Sequence, residues 1–257
     1  MLKKIIWYLI RPNYYEQLFH LIKRKISLKF RENHIKKNVD WCINNAISTN
    51  EAILKITNKK VEKKVSEIYP NIFSTANKKI QKCPVKMGGS ANIDLLYYLC
   101  EHLKAKKVVE TGVAYGWSTL SILLSINKRK KVKLLSTNMP YPGLDNSYIG
   151  LVIPNELKKN WKLYNGADLY ALPKALKFQK INDLCHYDSD KYYEGRSWAY
   201  PMLWSSLRKG GILVSDDIEN NSAFKDFSNK IKTSPIIVKF KNKNKKIGYQ
   251  FVGVLIK

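Results

Sequence analysis

The chain has 257 residues, 45% of them apolar, which is enough to bury a continuous core and excludes a disordered polymer. No apolar run approaches the ~18 residues that a membrane-spanning helix requires. Lys and Arg outnumber Asp and Glu by 46 to 20, a net charge of +26, and residues 1–90 hold 19 of the basic residues against 6 acidic ones. The lysines are spread among many asparagines rather than gathered in one stripe. They are read as solvated faces, and no nucleic-acid partner is expected.

The opening MLKKIIWYLIRPNYY starts like a secretory leader, but its apolar stretch Ile5–Ile10 runs into Arg11-Pro12 without a small-residue cleavage site, so it is read as retained. Met1–Phe30 combines Lys3, Lys4, Arg11, Lys23, Arg24, Lys25 and Lys29 with Ile5, Ile6, Trp7, Tyr8 and Leu9. Two expectations stand for it: contact with an anionic membrane surface, or packing on the rest of the chain or on a second copy. Cys42, Cys83, Cys100 and Cys185 form no paired spacing, which suits a reducing cytoplasm, peripheral to the inner membrane if the N-terminal segment meets lipid.

Residues 1–82 read as a mostly helical extension, with helical apolar spacing in Tyr15–Ile26 and Trp41–Ile56. After the loop Met87–Asn92, a helix begins near Ile93, with Ser90 or Asn92 as its N-cap. From Lys107 short β-rich runs alternate with helical ones. The strands are Val108–Glu110, Val132–Ser136, Trp161–Tyr164, Ile181–Tyr187 and Ile212–Ser215; the helices are Ser118–Ile126, Tyr170–Phe178, Glu194–Leu207 and Ala223–Lys232. Such alternation predicts an α/β, doubly wound, mostly parallel sheet. Pro235–Phe240 and Gly248–Ile256, joined by KNKNKK, read as a closing hairpin whose last strand is antiparallel.

The sharpest motif is Glu110-Thr111-Gly112-Val113-Ala114-Tyr115-Gly116-Trp117-Ser118-Thr119, a strand ending on an acid, two glycines four apart, then a helix start. Glycines there permit a sharp turn, and a helix N-terminus offers N–H groups to a ligand. Neither GxGxxG nor GxxxxGK[ST] occurs. The ExGxxxGxS pattern resembles the first motif of class I S-adenosylmethionine (SAM)-dependent methyltransferases, whose fold is Rossmann-like with a closing antiparallel hairpin. That resemblance implies SAM as cofactor, a methyltransferase domain over residues 83–257, and Glu110, Gly112, Gly116 and Ser118 as cofactor contacts, with Glu110 near the ammonium group. The family's ribose-binding acid is replaced by Asn138, and Asp168 falls where the family approaches adenine; a plain helix cap is its alternative.

Two acidic clusters follow later strands: HYDSDKYYEG (186–195) and SDD (215–217). Carboxyl ends of neighbouring strands face one crevice, so Asp188, Asp190, Asp216 and Asp217 are expected to converge there, with a cation offsetting their repulsion. Residues 150–227, with Leu172-Pro173, DSDKYYEGR, Trp204, LRKGGILVSDD and Asn221–Phe224, resemble bacterial sugar and natural-product O-methyltransferases, including metal-dependent ones. By that resemblance Asp188, Asp216 and Asp217 would ligate Mg²⁺ and Asp190 would be the base, or His186 in a metal-free reaction. The activity so implied is O-methylation of a sugar hydroxyl on a surface glycan or glycosylated metabolite. Left open beside it are a nucleic-acid methyltransferase, a non-catalytic Rossmann-like binding protein, a SAM-independent enzyme on the same scaffold, and self-association.

Overall fold

The computed structural model describes residues 2–26, 31–242 and 248–257, with backbone alone at 2–5, 20, 21, 23–26 and 31–35. The basic side chains of Lys3, Lys4, Lys23, Arg24, Lys25 and Lys29 therefore lie outside the described residues, as does most of the turn between the last two strands. In chain order the helices are α1 (Leu2–Leu9), α2 (Tyr15–Ile26), α3 (Arg31–Asn45), α4 (Thr49–Thr57), α5 (Val65–Ile68), α6 (Pro70–Gln81), α7 (Ile93–His102), α8 (Trp117–Ile126), α9 (Asp168–Phe178), α10 (Tyr193–Ser206) and α11 (Ala223–Lys230). The strands are β1 (Ala46–Ser48), β2 (Lys107–Thr111), β3 (Lys133–Asn138), β4 (Trp161–Asn165), β5 (Asn182–Tyr187), β6 (Leu207–Ser215), β7 (Ile236–Lys241) and β8 (Tyr249–Ile256).

They form one sheet in the order β1-β7-β8-β6-β5-β2-β3-β4. Its pairings are parallel except at β8, which runs antiparallel to both β6 and β7. This is the Rossmann-like, mostly parallel architecture expected from the alternation, closed by the C-terminal antiparallel strand. From β2 the chain first winds outward to β3 and β4, then returns to place β5 on the other side of β2. That reversal opens a crevice at the carboxyl ends of β2 and β5.

Successive residues of the central strands feed opposite layers, as the period of two requires. Val108, Leu134, Leu184 and Ile212 pack with Leu95, Leu99, Ile122 and Leu123 on one side. Val109, Leu135, Cys185 and Leu213 pack with Leu172, Tyr200, Leu203 and Phe224 on the other. Asn92 is the N-cap of α7, its side chain accepting from Leu95 N at 3.2 Å. Helix α8 starts one residue before its expected position, with Gly116 as its N-cap in the left-handed region (φ 93°).

The N-terminal stretch contributes more than helices. The run Trp41–Ile56, with its helical spacing, is interrupted by β1, which pairs with β7 through Ala46↔Ile237, Ile47↔Val238 and Ser48↔Lys239. Three residues are too few for a period of two to stand out against helical flanks. Ser48 then opens α4 in a reciprocal capping box with Glu51. Ala52 and Ile53 of α4 are fully buried against the layer of Leu95, Val238 and Val252. Asn38 of α3 donates to Ile218 O (2.7 Å) and Asn221 O (2.9 Å), tying this region to the loop after β6. Ile53→Ala should therefore cost about 2–5 kcal/mol, the usual range for truncating a buried aliphatic, read by denaturant unfolding. A loss well under 1 kcal/mol would mean that α4 is not part of the central core.

Candidate active site

Strand β2 ends next to β5 with Thr111↔Tyr187 in register, and Asp188 N donates to Thr111 O at 2.9 Å. Gly112 follows immediately at φ 81°. A Cβ there would stand 2.6 Å from the Asp188 carbonyl carbon. The glycine is thus required by the neighbouring strand end, not only by a ligand. Beyond it the loop turns through Gly116, whose N–H donates to Val113 O at 2.7 Å.

This loop forms one wall of a cleft of about 1450 Å³, large enough for two ligands of metabolite size. Gly112, Ser118, Asn138, Asp168, Asp188, Asp190 and Asp217 line it; Glu110, Gly116, His186 and Asp216 do not. The expected constellation is therefore split between a wall and a layer beneath it.

The buried layer is a chain of charges. Glu110 accepts from Thr119 Oγ1 (2.6 Å) and Ser136 Oγ (2.7 Å), and its other oxygen lies 3.4 Å from His186 Nδ1. His186 Nε2 lies 3.5 Å from Asp216 Oδ1. All three side chains are buried. Burial opposes a charge on the imidazole, but Asp216 and Glu110 outweigh it and push its pKa up to about 10. His186, expected as an alternative base, is thus already protonated at neutral pH and sealed from the cleft. Glu110, expected beside the ligand's ammonium group, supports the loop from below through Thr119.

Asn138 also departs from expectation. Its Oδ1 accepts from Val113 N (2.9 Å) and Ala114 N (3.2 Å), so the amide pins the glycine loop in addition to lining the cleft. Asp168 is not a cap, since Ala167 holds that position without a side-chain bond. Its carboxylate accepts from Thr137 Oγ1 (2.9 Å) and from Ser189 Oγ, while burial raises its pKa.

The other wall carries carboxylates from both acidic clusters. Asp188 is 26% exposed at its side chain. Its pKa is pushed up to about 7 by burial and then by Asp216, against the pull of Lys191. Lys191 Nζ pairs with Asp217 Oδ2 and lies 3.9 Å from Asp188 Oδ1. Burial works against its charge, but Asp188 and Asp217 raise its pKa on balance. Asp190 Oδ1 accepts from Tyr192 N at 3.0 Å, at the start of α10. A Cβ on Gly195 would come within 2.7 Å of Asp190 Cγ, so the absent side chain is what admits this carboxylate.

The expected metal ligands do not assemble around a common point. Asp216 faces His186, and Asp217 and Asp188 share the Lys191 ammonium. Among the described residues no three His, Cys, Asp or Glu side chains form a metal-binding group. The cation that four carboxylates call for is supplied by side chains. As arranged, the residues do not fit a hard divalent ion, which wants several oxygens at 2.0–2.6 Å.

Arg196 was not anticipated beyond its place in DSDKYYEGR. It is 1% exposed, and its Nη2 donates to Asp216 O and Asp217 O at 3.0 Å each. These bonds hold the turn in which Asp217 adopts φ 55°, a left-handed conformation uncommon for a side chain with a Cβ. Arg196 is the one basic residue of α10, and that was the available signal.

His186→Gln should lower stability by about 3–5 kcal/mol, because it leaves Glu110 and Asp216 buried without their cation. Chemical denaturation measures this. An unchanged midpoint would show that the two carboxylates do not need the imidazolium.

Comparison with known proteins bears on the same region. Residues 109–218 match a family model described as a methyltransferase domain. No curated protein matches the chain. Among solved structures, an O-methyltransferase from Bacillus cereus in complex with SAH is similar at a TM-score of 0.56 and 12% identity, covering 84% of this chain and 100% of that one. The O-methyltransferase TomG from Streptomyces achromogenes, in complex with SAM, is similar at 0.54 and 14%, covering 81% and 96%. A Staphylococcus aureus protein described as a caffeoyl-CoA O-methyltransferase gives 0.54 and 11%, covering 76% and 93%. The segment holding the glycine loop, His186 and both acidic clusters matches the methyltransferase-domain model, and the sheet around it has the fold of the solved O-methyltransferases.

Proposed function

We propose that the chain is a SAM-dependent O-methyltransferase acting on a sugar hydroxyl of a surface glycan or glycosylated metabolite. The observation that carries this reading is the two-walled cleft at the β2–β5 reversal, with the glycine loop on one side and Asp188 and Asp190 on the other. The loop suits the donor. The first turn of α8 has N–H groups without intrahelical acceptors, and with Ser118 they would hold the methionine carboxylate. Asp168, from the next turn of the fold, would face the adenine end.

Sugar recognition is supported by what lines the remaining cleft. Tyr141, Tyr193 and Trp198 stand with Asn220, Asn221 and Gln250. Aromatic faces suit the C–H faces of a pyranose, and amides offer both donors and acceptors to its hydroxyls.

When bound, SAM supplies a methyl carbon made electrophilic by its sulfonium. The acceptor oxygen would form its bond to that carbon as the C–S bond breaks, the electron pair leaving with sulfur. Asp190 takes the hydroxyl proton, its carboxylate held by Tyr192 N–H and seated over Gly195. A second reading, with Asp188 as proton acceptor, is favoured by its pKa near 7. Lys191 stays between Asp188 and Asp217 and keeps the wall from repelling itself. Mg²⁺, implied by the family resemblance, finds no donor cluster among the described residues, and no step depends on it.

Isothermal titration should show SAM binding, and mass spectrometry of glycans from a strain lacking the chain should show a lost O-methyl group. Absence of SAM binding by the intact protein overturns the methyltransferase reading. Asp190→Asn should keep SAM affinity and lose about 10²–10⁴-fold in turnover; full activity moves the proton to Asp188, for which Asp188→Asn is the matching test. EDTA should leave turnover unchanged. Loss in EDTA that Mg²⁺ restores would show that the acidic wall rearranges around an ion.

A further inference from the structure

We propose that the outer face of α1 and α2 docks on an anionic lipid surface. Ile6, Leu9 and Ile10 of the first helix and its end, and Tyr15, Phe19 and Ile22 of the second, are each 46–66% exposed. Their spacings, three and four along each helix, put each set on one face. Tyr15 Oη donates to Leu9 O at 2.7 Å, which brings the two helices together at that face.

The segment is anchored from its other side. Tyr8 is buried, and with Glu16 and Gln17 it lines the cleft. Trp7 and Tyr14 pack with ring centroids 4.8 Å apart, and the Arg11 guanidinium lies 4.6 Å over Trp7. The segment thus forms part of the cleft wall while presenting six apolar side chains outward.

Charge decides between the two coverings that such a face admits. Residues 1–30 contain seven Lys and Arg against one acidic residue, Glu16. A twofold contact between copies would set this positive segment against itself. An anionic bilayer attracts it while receiving the apolar side chains, the combination that interfacial helices use. Among the described residues no helix is long and apolar enough to cross a membrane, so the contact is one of surface and not of span. Because the same segment walls the cleft, docking brings the proposed acceptor site to the level of lipid-linked material. The docking itself does not rest on methyl transfer.

The test is co-sedimentation of the intact chain with phosphatidylcholine vesicles that contain or lack phosphatidylglycerol. Binding is expected to the anionic vesicles, at least about tenfold above the neutral ones at low salt, and to weaken as salt rises. Leu9→Glu and Ile10→Glu should each reduce it by about tenfold, with melting temperature and SAM titration unchanged. Those two controls separate a lost surface from a lost fold or a failed cofactor reading. No binding to anionic vesicles, or equal binding to both kinds, overturns the proposal. So does a dimer in analytical ultracentrifugation that either substitution dissociates, since the face would then be covered by a second copy.

Discussion

A buried imidazolium makes the end of this sheet possible. β2 contributes Glu110, Asp216 directly follows the end of β6, and β5 lies between them with His186 in register with Glu110. Two carboxylates enclosed on either side of β5 would be costly without a cation. His186 sits at ion-pair distance from both, and they in turn hold its proton. From that point the structure extends upward. Glu110 grips Thr119 at the start of α8, which fixes the glycine loop; the Asp216 backbone is held by Arg196, which fixes the turn presenting Asp217 to the cleft. Charge is neutralised in layers: imidazolium deepest, guanidinium beside it, and the Lys191 ammonium at the surface of the cleft.

This layering separates residues that a motif presents as equals. In HYDSD, His186 lies within β5 and is buried, while Asp188 and Asp190 follow the strand's last residue, Tyr187, and emerge on the wall. In SDD, Asp216 turns inward to the imidazolium, and only the left-handed Asp217 reaches the cleft. Positioning and chemistry are thus assigned to neighbouring residues of one short stretch.

Much of this was legible in the sequence, because the signals were local. Apolar runs of strand length between helical periods defined β2 through β6. The glycine spacing marked the loop, and the lysine-asparagine stretch between two β-rich runs marked the antiparallel closure. What escaped reading was set by partners distant in the chain. Strand β1 is only three residues long and exists because β7 is there to pair with it. Asn138 stands at the place of a ribose-binding acid, yet its oxygen is directed to Val113 and Ala114 by the way β3 lies beside β2. Lys191 is one of 46 basic residues, and nothing in its neighbours announces that its ammonium stands where an ion was expected. Gly195 looks like an ordinary helix residue until the carboxylate of Asp190 is placed against it.

The pairing of β1 with β7 also carries a consequence for synthesis on the ribosome. Ala46 waits for Ile237, roughly 190 residues further along the chain. At translation rates of about 5–20 residues per second this amounts to roughly 10–40 s. During that interval Ile53 and Ala52, destined for the core, have neither β7 nor β8 to cover them. The N-terminal segment therefore emerges first and is completed among the last. Contacts so remote in sequence form slowly, and the nascent chain depends on α7 and α8 as provisional cover, or on chaperones, until its C-terminal strands arrive.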